Sequence, residues 1–398
     1  MNWKREVVED PYISISLVIL VILVAACFYV QSYVGVGVFL LLAVYFRLHQ
    51  WYLLKVGEGV MLEKKTQKRL RLHCGEEDKW VFHLENMGFP IWGATLKLSF
   101  KDIVEPTAHP YSTGIENEIE VAIPFSIRKN EKGCVSLPIK GKRRGLCRIT
   151  HLQLEIPHLF GSGKVLLDLL DSVPTTVMVF PSSSSVRMAE HKLTLRQGDV
   201  ATPHSLFFDV FHPVGTREYV QGDRFQDLHW KATARTGDLQ TKVFAPATQK
   251  EWLIAINLSD RYAITNHLED IIKHTAFLMQ LAEEQNISFS LALNVRTSGP
   301  TPYIYLPPGS GRKHRQRGLE FLATLSTDEF TMPFDLVLQH MYLQRLVPSV
   351  CIVAGALGSS EEAILEKIGK RRALIFKLDL EEEQGVVTKW SRTWKISS

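Results

Sequence analysis

The stretch Val214–Phe244, VGTREYVQGDRFQDLHWKATARTGDLQTKVF, gathers arginines, acids, a histidine and a tryptophan around its glycines more densely than any other part of the chain. Gly222-Asp223 supplies a turn with a carboxylate placed to cap a helix. Phe225, Leu228, His229 and Ala232 recur at the i, i+3, i+4, i+7 spacing of one helical face. Gly237 is placed to stop that helix, because glycine enters the left-handed region without steric cost. Leu239 to Phe244 reads as a strand, so the unit is turn, helix, turn, strand with ionic groups clustered at the ends.

Beyond Glu251 strands and helices alternate. Trp252–Leu258, Ile287–Val295, Ser349–Ala354 and Ala373–Leu378 read as strands. A helix capped by Asn266 with Glu269 three residues on follows the first strand, and one boxed by Ser359 and Glu362 ends near Gly369. Further helices are expected over 315–325 and 334–346. This alternation predicts a mainly parallel, doubly wound sheet with helices on both faces. Upstream, from Trp80 to Pro181, the period changes to two: Ile119, Val121 and Ile123 alternate with Glu118, Glu120 and Ala122, and turn residues punctuate the runs. That pattern predicts an antiparallel β-sandwich with an immunoglobulin-like look. Pro181–Ser185 reads as a short polar linker.

At the N-terminus, Ile13–Val30 is apolar and about the length needed to cross ~30 Å of hydrocarbon at ~1.5 Å per residue. Val34–Phe46 continues after Gln31-Ser32-Tyr33, with Trp51 and Tyr52 as interfacial anchors. The two runs predict a helical hairpin. Lys4 and Arg5 before it, and Arg47, Lys55, Lys64, Lys65, Lys68, Arg69 and Arg71 after it, place both ends in the cytoplasm. Val24-Ala25-Ala26-Cys27 has the form of a lipoprotein cleavage box, but the residues after Cys27 stay apolar where a mature lipoprotein turns polar. The expected organisation is a hairpin over 1–56, a sandwich over 57–181, the charged segment over 182–250 and an α/β domain over 251–398.

Composition excludes several classes of function. The 398 residues are 45% hydrophobic and 22% charged, which suits more than one buried core. A net charge of +4 is too small an excess for a nucleic-acid partner. The five cysteines are scattered without C-x-x-C spacing, so free thiols are expected rather than a disulfide framework or a zinc site. Gly161-Ser162-Gly163-Lys164 lacks the first glycine and the Ser or Thr of a phosphate loop. His204 and His212 lack both helical spacing and a third ligand.

The charged stretch closely resembles the signature of the bacterial domain-of-unknown-function 58 family, roughly R-x-Y-x-x-G-D-x-x-R-x-I-H-W-K-x-x-A-R. Arg217, Tyr219, Gly222, Asp223, His229, Trp230, Lys231, Ala234 and Arg235 match it. Gln226 stands where the family has its middle arginine, with Arg224 nearby. Asn86, Arg144-Gly145 and Pro157–Gly161 resemble the family's N-terminal part, Ile156 replacing an aspartate. The resemblance implies two membrane helices and association with a MoxR-type AAA+ ATPase, often together with a transglutaminase-like membrane protein, and no cofactor is expected.

The α/β order also resembles a von Willebrand factor A domain, whose D-x-S-x-S loop often holds Mg²⁺. Here that loop reads Asn257-Leu258-Ser259-Asp260-Arg261, with an amide for the first acid and a guanidinium for the last serine. A relic or protein-contact loop is expected, with no bound metal. Arg217, Asp223 and Arg235 are expected to form an ion-pair network, with Arg217 stacking on Trp230. The function expected is a membrane-anchored, non-catalytic scaffold or adaptor. One rival is a hydrolase using Asp223 and His229, and another is a metal-dependent adhesion module at Asn257 and Ser259.

Overall fold

The computed structural model describes residues 2–8, 11–63, 69–114, 117–158, 163–171, 173, 175–188, 208–220, 225–246, 251–260, 263–326, 328–371, 373–381 and 384–391. The chain forms two compact units, Met1–Ser182 with Glu320–Leu325, and Ser183–Leu319 with Ser326–Ser398.

The first unit opens with strand β1 (Trp3–Val8) and helices α1 (Pro11–Tyr29) and α2 (Tyr33–Lys55). Strands β2 (Val60–Leu62), β3 (Leu70–His73), β4 (Glu77–Asn86), β5 (Ile91–Lys101), β6 (Val104–Pro106) and β7 (Tyr111–Thr113) follow. β8 (Glu118–Ile127), β9 (Glu131–Gly141), β10 (Gly145–Pro157), β11 (Lys164–Leu169) and β12 (Thr176–Phe180) complete it. One sheet runs β1-β11-β10-β5-β8-β7, with β12 and β3 joined through β10, and a second runs β2-β4-β9-β6. Alternate residues of β4, β5 and β8 turn into one shared core: Trp80, Phe82 and Leu84 from the second sheet meet Leu96, Leu98, Ile119 and Val121 from the first.

α2 is long and apolar enough to cross a membrane, and Val18–Tyr29 within α1 is a shorter apolar helix. The turn between the helices is tight. A Cβ at Gly35 would lie 2.9 Å from the Cys27 sulfur, so glycine is what lets the helices approach there. The base of the hairpin is built into the sandwich, which sequence did not announce. Leu53 and Val56 at the end of α2 are fully buried in the sandwich core. β1 pairs antiparallel with β11, Trp3 opposite Leu169, so Lys4 and Arg5 belong to an edge strand rather than to an unstructured flank. From that strand Arg5 Nη2 donates to the Leu53 carbonyl, one of the acceptors a helix C-terminus leaves unfilled. Beside it His49 is buried and stacks on His158, ring centroids 3.5 Å apart, while Tyr52 meets His158 edge-on at 5.2 Å.

The second unit contains β13 (Val186–Met188), β14 (Phe208–Glu218), α3 (Trp230–Thr236), β15 (Gln240–Pro246), β16 (Glu251–Ile256), β17 (Ser259–Asp260) and β18 (Ala263–Ile264). It continues with α4 (Leu268–Glu284), β19 (Ser288–Arg296), β20 (Tyr303–Gly309), α5 (Arg312–Thr324, in this unit as far as Leu319), α6 (Phe334–Leu343), β21 (Val350–Ala354), α7 (Ser359–Lys370), β22 (Leu374–Glu381) and β23 (Gln384–Lys389). The main sheet runs β13-β23-β22-β21-β16-β19-β20. Its centre, β22-β21-β16-β19, is parallel, and β20 and β23 flank it antiparallel. Leu253, Ala255, Cys351 and Val353 face α6 and α7 in one core cluster. α5 lies on the opposite face, His314 packing on Phe289, and a Cβ at its Gly318 would meet Met279 of α4. Helices therefore cover both faces of the sheet.

Two caps sit one residue from their expected places. α4 is preceded by His267, not Asn266, because Thr265 Oγ1 takes the His267 N–H and closes the turn there. α7 is capped at Gly358, whose N–H donates to Glu361 Oε2 at 3.0 Å, rather than boxed by Ser359 and Glu362. All five cysteines are free thiols, and burial pushes both Cys147 and Cys351 up to about 12.

Candidate functional site

The charged segment forms an arm in which β14 and β15 pair antiparallel, Arg217 opposite Thr241 and Glu218 opposite Gln240. Tyr219 N–H extends the ladder to the Leu239 carbonyl at 2.9 Å. The expected helix over Phe225–Ala232 is broken into two pieces. Phe225–Asp227 is a single 3-10 turn, Leu228 makes a β-bridge to Thr241, and the His229 N–H bonds the Gln240 carbonyl at 2.7 Å. These strand-like contacts to a distant part of the chain override the local helical spacing. They also bury Leu228 beneath the arm at 2% exposure.

α3 starts only after that pairing, and its cap is His229, whose Nδ1 accepts the Ala232 N–H at 3.0 Å. Asp223, the cap expected from sequence, lies with Gly222 and Arg224 outside the described residues. Gly237 ends the helix at φ 83, in the left-handed region, its N–H bonded to the Thr233 carbonyl. Thr233 Oγ1 accepts the Gln240 N–H at 3.0 Å and ties α3 to β15. Trp230 is 64% exposed, and Lys231, Ala234 and Arg235 are exposed with it. Arg217 Nη1 donates to the Glu218 carbonyl at 3.0 Å. Arg235 sits in the last turn of α3, and the expected ion-pair network with Asp223 lies outside the described residues. Tyr219 is half-buried, its ring 6.4 Å from that of Phe225.

At the carboxyl ends of β16, β19 and β21, where open α/β sheets usually bind ligands, the structure places Asn257 and Ser259 together with Asn294. Asn257 Oδ1 receives the Ser259 N–H at 3.1 Å, the Ser259 hydroxyl at 2.7 Å and Asn294 Nδ2 at 2.9 Å. Asn257 Nδ2 donates to the Ala356 carbonyl at 2.6 Å. Asn294, fully buried, accepts the Leu258 N–H at 2.8 Å and directs its amide toward Ser259 Oγ and the Met332 carbonyl as well. Gly355 closes the cluster at φ 98; a Cβ there would stand 2.1 Å from the Asn257 carbonyl oxygen. Arg261 lies outside the described residues.

Chemically this is a closed amide network. A hard divalent cation needs several oxygens with lone pairs to offer, and the oxygens of Asn257 and Ser259 are already committed to one another and to Asn294. Among the described residues no three His, Cys, Asp or Glu side chains group as metal ligands. Asn294 was missed from sequence; its signal is a lone amide in the otherwise apolar run Leu291-Ala292-Leu293-Asn294-Val295.

Residues 215–384 match the family described as "Protein of unknown function DUF58". The match begins in β14 and ends at the start of β23, so it takes in the arm and most of the second unit and leaves the sandwich outside. A curated relative, "Uncharacterized protein YeaD" of Bacillus subtilis (strain 168), is 30% identical over 112 residues, 28% of this chain and 26% of that protein. The match thus spans about a quarter of the relative's length. Among solved structures, a non-cellulosomal cohesin from Archaeoglobus fulgidus is 16% identical with a TM-score of 0.21, over 30% of this chain and 91% of its own. The C-terminal domain of wzt is 7% identical with a TM-score of 0.21, over 28% of this chain and 64% of its own. Likenesses at that level carry no weight for the fold.

Proposed function

We propose that this chain is a membrane-anchored, non-catalytic adaptor that presents a von Willebrand factor A-like unit and the DUF58 arm to a MoxR-type AAA+ ATPase. The observation that carries the reading is the closed amide network. At the position where an A-like sheet would offer a metal or a catalytic group, Asn257, Ser259 and Asn294 spend their polar side-chain atoms on one another. The A-like assignment is supported by the strand order, parallel β22-β21-β16-β19 with antiparallel β20 at the edge. In the arm, His229 commits Nδ1 to the α3 cap, which speaks against the Asp223/His229 hydrolase.

Two-pass anchoring is supported by the hairpin base. β1 enters, and the end of α2 leaves, through the same sandwich, so a membrane-crossing hairpin must begin and end on one side. The Lys and Arg flanks support the cytoplasm as that side.

Co-expression of the tagged full chain with the MoxR-type ATPase of its own source organism tests the adaptor. The ATPase is expected to stay with the chain through affinity capture from solubilised membranes, and Ser259→Ala is expected to leave capture intact. Failure to retain the ATPase with the chain folded, or turnover of a substrate that depends on His229, overturns the reading.

A further inference from the structure

We infer that the outward face of α3 is a docking surface for an acidic protein partner with an apolar notch that takes the Trp230 ring. The inference rests on the adaptor reading and names the chemistry of its contact. At 100° per residue, Trp230, Lys231, Ala234 and Arg235 fall within an arc of about 140°. All four are exposed, whereas Ala232 and Thr233 are half-buried toward the arm. The helix, WKATART, carries two cations and no acid.

An indole held in water on a fixed backbone is a poor surface residue and a strong interface residue, because tryptophan and arginine supply most of the energy at binding hot spots. The backbone is fixed here. His229 caps the first turn, Gly237 and Thr233 lock the last one, and Leu228 pins the segment to Thr241 from below. Such a preordered patch loses little conformational freedom on binding. Charge complementarity assigns the partner's side: carboxylates opposite Lys231 and Arg235, the latter able to take one in two parallel hydrogen bonds.

A flat anionic membrane is the poorer fit. It would meet the whole arm, including exposed Glu218 and Asp238, while a protein surface can confine its contact to the acid-free face of α3. Ala234, between Trp230 and the two cations on that arc, leaves room for a protruding partner side chain.

The test uses the full chain in phosphatidylcholine nanodiscs, with a fluorescent glutamate–tyrosine copolymer as the acidic, aromatic probe. Fluorescence anisotropy is expected to give binding that salt weakens. Lys231→Glu/Arg235→Glu and Trp230→Ala should each weaken it about tenfold. Lys129→Glu/Lys367→Glu, the same charge change on exposed residues elsewhere, should leave it unchanged, as should the melting temperature of every variant. Equal loss in the control pair overturns the proposal. So does binding of phosphatidylglycerol vesicles that depends on Trp230 and Lys231 as strongly as copolymer binding does. Capture of the ATPase that survives Lys231→Glu/Arg235→Glu removes the α3 face and leaves the adaptor standing. Copolymer binding that follows the predicted pattern without any ATPase capture does the reverse.

Discussion

Asn294 shows how one amide can decide what a sheet end does. Its side chain is fully buried and holds Asn257, Ser259, Leu258 and Met332 in register. Replacing it by Ala strands several buried donors and acceptors, so Asn294→Ala should cost about 2–4 kcal/mol in a denaturant titration. Gly355→Ala should also destabilise, since its φ of 98 and the Asn257 carbonyl 2.1 Å from its Cβ position exclude any side chain. Because the same oxygens are spent internally, Mg²⁺ should not raise the melting temperature; a rise abolished by Ser259→Ala would restore the metal site. Asn257 and Ser259 were legible in sequence because they end an apolar strand. Asn294 was not, because the contact that gives it meaning lies 37 residues away.

The elements most dependent on one another are α2 and β1. Leu53→Ala, which empties a fully buried position at the base of the hairpin, should destabilise the first unit by about 2–5 kcal/mol. The stacked histidines add a pH dependence. Burial, and then nearby His49, holds His158 below the usual histidine range. Folded His158 therefore binds a proton less readily than unfolded His158, and its contribution is full above about 6.5 and lost as pH falls below that. Arg5 and Glu58 lie at the same junction. His158→Phe keeps an aromatic ring on His49 and removes one titrating group, so its melting temperature should fall less on acidification from about pH 7.5 to about pH 5 than that of the parent chain. An identical slope would remove His158 from the account. Element type was readable wherever burial is one-sided: the alternation of Ile119, Val121 and Ile123 points straight into the core. Boundaries failed where distant partners intervene. Leu228 and His229 carry helical spacing, yet Thr241 and Gln240 recruit them into strand-like pairing before α3 begins. β20 escaped sequence reading because Pro307 and Pro308 argue against a strand, and an antiparallel edge tolerates them.

At the scale of the molecule, the hairpin predicts a pattern of chemical access. Cysteines introduced at Lys4 and Lys129, in a background without native thiols, should react with a membrane-impermeant maleimide only after the cells are opened. A cysteine at Gln31, in the turn between α1 and α2, should react in intact cells. Lys4 and Gln31 on one side would contradict the two-pass anchor. The charged arm was recognisable in sequence as a unit, but its outward tryptophan and cations were not, because exposure depends on which face the arm buries. The most direct measurement for the adaptor is saturable binding of the purified MoxR-type ATPase to the nanodisc-embedded full chain, read by biolayer interferometry in ATP and in ADP. The account predicts saturable binding in at least one nucleotide state, weakened by Lys231→Glu/Arg235→Glu. Binding absent in both states, from a chain that melts cooperatively, would contradict it.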